Sequence, residues 1–204
     1  MKIERTWVGG FQNAVWGIRH SYDNHEKSDS QLNNDEAFVL GSADEELIKK
    51  LLAYGGSHAK FLRQIFVSAD VTAPLTWWKE MDQYKVATTT NSTSTMHSIT
   101  KYPFSFEQFD TDEMSQDGLG TLKNTINSLN IMRDTYLETK NKSVWMDMIS
   151  NLPESWLQTR MWSADYATLR NIYATRKNHK LTNWHRFCDW IASLPYADLM
   201  LISA

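Results

Sequence analysis

The chain predicts an α+β fold, mainly helical with a small antiparallel or mixed sheet, on three observations. Apolar residues recur at helical spacing along much of the second half. Val67, Ala69 and Val71 alternate as the residues of a strand do. No internal repeat is visible, and 204 residues suffice for one domain with a sizeable core, so residues 1–204 read as a single domain. Composition narrows the class. Apolar residues at 42% and charged residues at 22% describe a globular protein. A net charge of −3 lacks the basic face that a nucleic-acid polymer needs. One cysteine leaves no internal disulfide and no cysteine-based metal site, and suits a reducing, cytoplasmic compartment. The N-terminal stretch has no apolar signal core and no run approaches a membrane span, so no membrane partner is expected.

Residues 1–8 read as a short strand broken by Gly9-Gly10, and Phe11 to Tyr22 as a short helix. Segment 24–36 has almost no apolar residue and is expected to be a mobile loop. Ser42 to Glu45 has the form of a capping box opening a helix that Gly55-Gly56 stops. His58, Phe61, Leu62 and Ile65 continue at helical spacing, and a strand-like run then leads to Ala73-Pro74. Thr72 is a candidate cap for the following helix, which carries Trp77, Met81 and Tyr84 on one side. A loop dense in hydroxyls follows, with Asn91, five Thr, Ser92 and Ser94. Ser105 to Gln108 predicts a short capped helix, and 110–120 an acidic linker. Thr121 to Lys140 is the clearest amphipathic helix. Ser143 to Ser150 is another, interrupted at Asn151-Leu152-Pro153. Trp156 to Arg176 and Leu181 to Leu194 read as helices, the last burying Trp184, Phe187, Cys188 and Ile191.

No hydrolase triad, phosphate-binding loop or dinucleotide glycine pattern is present. The six histidines are scattered, only His20 and His25 stand near metal-ligand spacing, and no metal site is expected. Cys188 on an apolar face reads as an inert core thiol. The informative polar residues are His58, Lys79, Glu80, Lys85, Asn91, Ser92, Ser94, Asn171, Arg176 and His179. Singly, each has a plain structural reading. His58 reads as a helix-start residue, and Arg176 with His179 as a cationic helix end favoured by the dipole.

Their order along the chain resembles the flavin-dependent thymidylate synthases. In that family a His-containing segment leads into a strand, a helix and the signature RHRxxSxNExSxRY. Much later comes an LP, then a helix carrying N-x4-R, then a His. Here the corresponding parts are HAKF (58–61), Ala73-Pro74, Leu152-Pro153 and TLRNIYATR (168–176), with AVWGIRHSY (14–22) also similar in look. The resemblance runs over roughly residues 10–195.

It implies a homotetramer with FAD at active sites on shared interfaces, and transfer of a one-carbon unit from methylenetetrahydrofolate to C5 of dUMP or a related pyrimidine deoxynucleotide, with NADPH as reductant. It further implies that His58, Gln83, Tyr84, Lys85, Asn91, Asn171 and His179 contact the flavin cofactor. Lys79, Glu80, Ser92, Ser94 and Arg176 would contact the nucleotide, with Arg176 and Ser94 in catalytic roles.

The chain departs from the signature where the cations sit. Its RHR aligns with Gln83-Tyr84-Lys85, its acidic residue with Ser92, its later Arg with Met96, and the Arg before the LP with Ile149. Each lost arginine–phosphate bond is worth roughly 1.5–3 kcal/mol. Lys79, Lys85, Lys101 and Arg19 are the candidate substitutes, although lysine binds as a point charge rather than a fork. Two readings therefore stand: a divergent flavoenzyme, or a catalytically degenerate homologue serving as an oligomeric nucleotide-binding or structural protein.

Overall fold

The protein is described here from a computed structural model over residues 1–201. It is 55% helical with a small antiparallel sheet, the expected α+β class. In chain order the strands are β1 (Lys2–Gly9), β2 (Gln31–Leu32), β3 (Phe38–Val39), β4 (Phe66–Pro74), β5 (Thr89–Ser92) and β6 (Leu157–Asp165). The helices are α1 (Phe11–Arg19), α2 (Ser42–Tyr54), α3 (Leu75–Met81), α4 (Thr95–Ser98), α5 (Gln116–Thr139), α6 (Lys142–Ser150), α7 (Tyr166–Arg176), α8 (Thr182–Ala192) and α9 (Ala197–Met200). A nine-residue 3₁₀ helix, Gly56–Gln64, links α2 to β4.

The main sheet has the order β1-β4-β6-β5. β4 and β6 run antiparallel in one register. The Tyr166 amide donates to the Ile65 carbonyl (3.0 Å) and the Leu75 amide to the Trp156 carbonyl (3.0 Å), and the Thr72 and Thr159 hydroxyls meet at 2.7 Å. By contacts the chain forms two compact units, 1–2 with 71–83 and 91–161, and 3–70 with 84–90 and 162–201.

In the first unit α5 buries Leu122, Ile126 and Leu129 with Ile99, Phe104, Phe109 and Met148. Trp156 packs edge-on against Phe104 and Phe109, at 5.5 and 5.3 Å between ring centroids. α5 begins at Gln116, capped by Ser115, whose hydroxyl accepts from the Gly118 amide. The expected acidic linker is therefore shorter than read, because a serine cap overrides the helix-weakening Gly118 and Gly120. The capping box at Ser105–Gln108 is present as expected.

In the second unit Phe11 packs edge-on against Tyr166 and Tyr196, and Phe187 against Trp162 and Trp184. α8 buries Trp184, Phe187, Cys188 and Ile191, as the spacing predicted. Gly10, at φ +98°, opens α1. A Cβ there would lie 2.2 Å from the Gln64 carbonyl oxygen, so only glycine lets α1 start against the end of the 3₁₀ helix.

Three expectations are corrected. Residues 157–165, read as helix, are strand β6. Thr72 caps nothing; it lies inside β4, and Pro74 occupies the N-cap position of α3 without a side-chain bond. The box at Ser42–Glu45 does not form, since Gly41 is the N-cap of α2. The first amides of α2 are met by Asp29, which accepts from Ala43 (2.9 Å) and Asp44 (3.1 Å).

Segment 24–36 carries a 3₁₀ turn at His25–Lys27 and strand β2, which pairs with β3. Ser28 and Ser30 donate from their hydroxyls to Asp44, each at 2.7 Å.

Candidate functional site

The residues expected to carry the chemistry fall in both units. In the second, α7 runs from Tyr166 to Arg176, and its N-terminus is capped by Asp165, which accepts from the Thr168 amide at 2.7 Å. The Thr168 hydroxyl donates to the Val86 carbonyl (3.1 Å), so segment 84–90 is fastened along this helix. Tyr84 is thereby brought to Arg176. The Nε of Arg176 donates to the Tyr84 hydroxyl at 2.8 Å, and its Cζ lies 4.6 Å from the Trp184 ring centroid and 5.5 Å from that of Tyr84. The two rings meet edge-on at 6.0 Å between centroids and the cation lies against both, an arrangement that favours a guanidinium over an ammonium. The Tyr84 hydroxyl also meets Thr175 Oγ1 (2.9 Å), which donates to the Asn171 carbonyl (2.8 Å).

His179 follows directly. Its amide donates to the Arg176 carbonyl and its Nδ1 accepts from the Leu181 amide at 3.2 Å, which places the ring proton of the neutral form on Nε2. Of the expected residues, Tyr84, Arg176 and His179 are therefore gathered at the C-terminal end of α7, with Lys85 exposed beside Tyr84, while Asn171 lies exposed at mid-helix, tied to them only through its carbonyl and Thr175.

His58 lies on the 3₁₀ helix and lines a separate cleft of about 770 Å³ in the same unit. One wall is the end of α1 and the turn after it, including Ile18, His20 and Tyr22; the other is the 3₁₀ helix, including Ser57, Lys60 and Arg63. A 3₁₀ helix has three residues per turn, so 57, 60 and 63 stack in one row. Lys60 and Arg63 were not singled out in the sequence. Their signal was the i,i+3 spacing, legible only to a reader who knew that the helix was 3₁₀.

In the first unit Lys79 is ion-paired with Glu154, and the Gln83 side chain donates to the Lys79 carbonyl at 3.4 Å. Glu80 is half-buried on α3, and Asn91 and Ser92 are exposed on β5. Ser94 precedes the short α4, its hydroxyl 2.8 Å from His97 Nδ1. Lys101 lies over the Tyr102 ring.

Arg19, expected as a substitute phosphate-binding cation, is not available for that role. It is 4% exposed and bound through Nε (2.7 Å) and Nη2 (2.6 Å) to Asp44, which is fully buried. Burial alone would raise the Asp44 carboxyl. The hydroxyls of Ser30 and Ser28 and the Arg19 guanidinium outweigh it and hold the carboxyl below its usual range. Burial, helped by Asp189, pushes the Cys188 thiol up to about 11, as suits an inert core thiol. Among the described residues no group of three or more His, Cys, Asp and Glu is placed to hold a metal, and no helix is long and apolar enough to cross a membrane.

No family model matches the sequence, and no curated protein does. Solved structures do match it. The flavin-dependent thymidylate synthase ThyX from Helicobacter pylori complexed with FAD and dUMP is similar at a TM-score of 0.71 and 16% identity, over 98% of each chain. A second structure of ThyX from the same organism, also with FAD and dUMP, reaches a TM-score of 0.76 at 16% identity, covering all of this chain and 98% of the other. The chain has the ThyX-like fold along its whole length. At this identity the likeness concerns the fold, and function has to be argued from the side chains.

Proposed function

We propose that the protein is a divergent flavin-dependent thymidylate synthase-like enzyme that moves a one-carbon unit from methylenetetrahydrofolate to C5 of dUMP or a related pyrimidine deoxynucleotide. The observation that carries this reading is the seating of Arg176 against the Tyr84 and Trp184 rings, on a chain whose fold is that of proteins solved with FAD and dUMP.

The residues present fit a flavin dinucleotide. Arg176, Tyr84 and His179 offer polar groups beside aromatic faces, and the cleft along the 3₁₀ helix is lined by Lys60 and Arg63 with no acidic residue. Asn171, His179, Tyr84 and Lys85, with His58, Gln83 and Asn91, would hold that cofactor. When bound, the flavin supplies the redox half of the transfer, with NADPH as reductant. The rest falls to the chain.

Arg176 would donate to a uracil carbonyl and stabilise the charge that develops there as C5 becomes nucleophilic. The bond from its Nε to Tyr84 fixes the plane of the guanidinium before substrate arrives, so little reorganisation is left for the reaction. Ser92 and Ser94 would sit against the nucleotide with Lys79 and Glu80, and Ser94 would orient it through its hydroxyl. A homotetramer in the cytoplasm completes the reading, and light scattering on the purified protein tests the assembly.

The second reading, a degenerate homologue that binds or scaffolds without turnover, is favoured by the fate of the candidate replacement cations: Arg19 is buried and Lys79 is paired. Purified protein separates the two. An absorption band near about 450 nm, or a rise in melting temperature on adding FAD, supports the enzyme. A colourless protein whose melting temperature ignores saturating FAD removes it.

A further inference from the structure

The serine hydroxyls assigned to the nucleotide stand on a segment with little to hold it. β5, which ends at Ser92, is the outermost strand of the main sheet, four residues long and exposed throughout. Thr93 and Ser94 are exposed as well. Residues 91–94 bury no apolar side chain, so their conformation depends on hydrogen bonds to the rest of the chain.

Those bonds converge on Thr93. Its amide donates to the Thr159 carbonyl at 2.9 Å, and its carbonyl accepts from Gln158 Nε2 at 3.1 Å. Gln158 is itself fixed by Arg160, whose Nε donates to Gln158 Oε1 at 3.0 Å. A guanidinium only donates, so Gln158 has to turn its oxygen to Arg160 and its amide nitrogen to Thr93. Arg160 in turn is anchored on the end of α3. Its Nη1 donates to Asp82 Oδ1 at 2.7 Å, and its Cζ lies 4.2 Å from the ring centroid of Trp78. Trp78 is buried, and its Nε1 donates to the Gln158 carbonyl at 2.9 Å. All of these residues belong to the first unit.

We propose that Gln158, with its amide oriented by Arg160, is a positioning residue: by holding Thr93 it sets where Ser92 and Ser94 stand for the nucleotide. The inference rests on the reading of those two serines as nucleotide contacts. Gln158 and Arg160 act through the backbone of Thr93, without touching the ligand themselves. Taking away the guanidinium frees the Gln158 amide to turn over, which sets its oxygen against the Thr93 carbonyl. Gln158→Glu produces the same mismatch directly. It strengthens the bond to Arg160 through a carboxylate, yet it leaves the Thr93 carbonyl facing an acceptor. A role confined to stability is therefore kept by the glutamate variant, and a positioning role is lost.

The test compares the intact wild type with Gln158→Glu, Gln158→Leu and Arg160→Met in three measurements: melting temperature, amide hydrogen exchange over residues 91–98 without ligand, and calorimetric titration with dUMP. Gln158→Glu should melt with the wild type, exchange faster over 91–98, and bind dUMP about tenfold more weakly. Gln158→Leu and Arg160→Met should move exchange and affinity in the same direction. Exchange in Gln158→Glu that matches the wild type overturns the inference, whether or not dUMP binds. Faster exchange with unchanged dUMP affinity also overturns it, because Gln158 is then structural only, while the nucleotide reading survives. If the wild type fails to bind dUMP but exchange quickens in all three variants, the nucleotide reading is wrong and the hold of Gln158 on the segment stands.

Discussion

Arg176 and Asp44 are the two charged residues on which the most depends, for opposite reasons. Arg176 is half-buried at a helix end, where its packing against Tyr84 and Trp184 gives direction to the charge. Arg176→Lys keeps the charge and discards the fork. It is expected to reduce turnover at least about tenfold with a small change in melting temperature, read from kcat and thermal denaturation together. Tyr84→Phe keeps both aromatic faces and removes only the hydroxyl that accepts from Nε. It should lower kcat more than it raises KM, because it loosens the orientation of Arg176 without removing it.

Asp44, by contrast, is structural. It has no exposure and is met by Arg19, Ser28 and Ser30. Asp44→Ala strands a buried guanidinium and should cost about 3–5 kcal/mol, measured by urea unfolding. Its depressed carboxyl carries a pH signature. The stabilisation is complete above the unfolded carboxylate range, near pH 4, and is lost as pH falls through the lower folded value. The melting temperature should hold from neutral pH to about pH 4 and then decline.

At the level of elements, helix starts are the most testable features. Ser115→Ala removes the cap of α5 and should destabilise the protein by about 1 kcal/mol, visible in the unfolding midpoint with an unchanged denaturant slope. The same helix illustrates what a single sequence discloses. Leu122, Ile126 and Leu129 lie one helical turn apart and all reach the core, so the body of α5 was legible. Its first turn was not, because glycines argue against helix locally while a serine cap and the packing of the rest argue for it.

β6 was missed for a stronger reason. Residues 157–165 hold one β-branched side chain, Thr159, and their apolar residues fit a helical period as well as a strand. What makes them strand is pairing with β4, far away in the chain, and no local pattern encodes that. α2 shows a third case. Ser42 and Glu45 have the right spacing for a capping box, but Asp29 reaches the same amides from another segment. For the candidate site, the order Asn171, Arg176, His179 was readable as a motif. Its aromatic seat was not, since Tyr84 and Trp184 approach Arg176 only once the chain is folded.

For the whole molecule, the fold and the chemistry separate. The ThyX-like fold persists at 16% identity because it depends on which positions are apolar and how strands pair, and many sequences satisfy both. Charged contacts to a ligand are not so replaceable. The absence of RHR at 83–85 accordingly leaves the architecture in place. The single cysteine bears on the folded state as a unit. Cys188 is 4% exposed, and burial holds its thiol protonated at neutral pH. Iodoacetamide at pH 8 should leave the native protein unmodified and label it fully in denaturant, as counted by mass spectrometry.

That silence makes the protein a ready host for site-specific probes. A cysteine placed at exposed Lys60 or Arg63 would be the sole thiol to answer a maleimide dye under native conditions. Protection from the dye would then report occupancy of the cleft without any need for the enzyme to turn over.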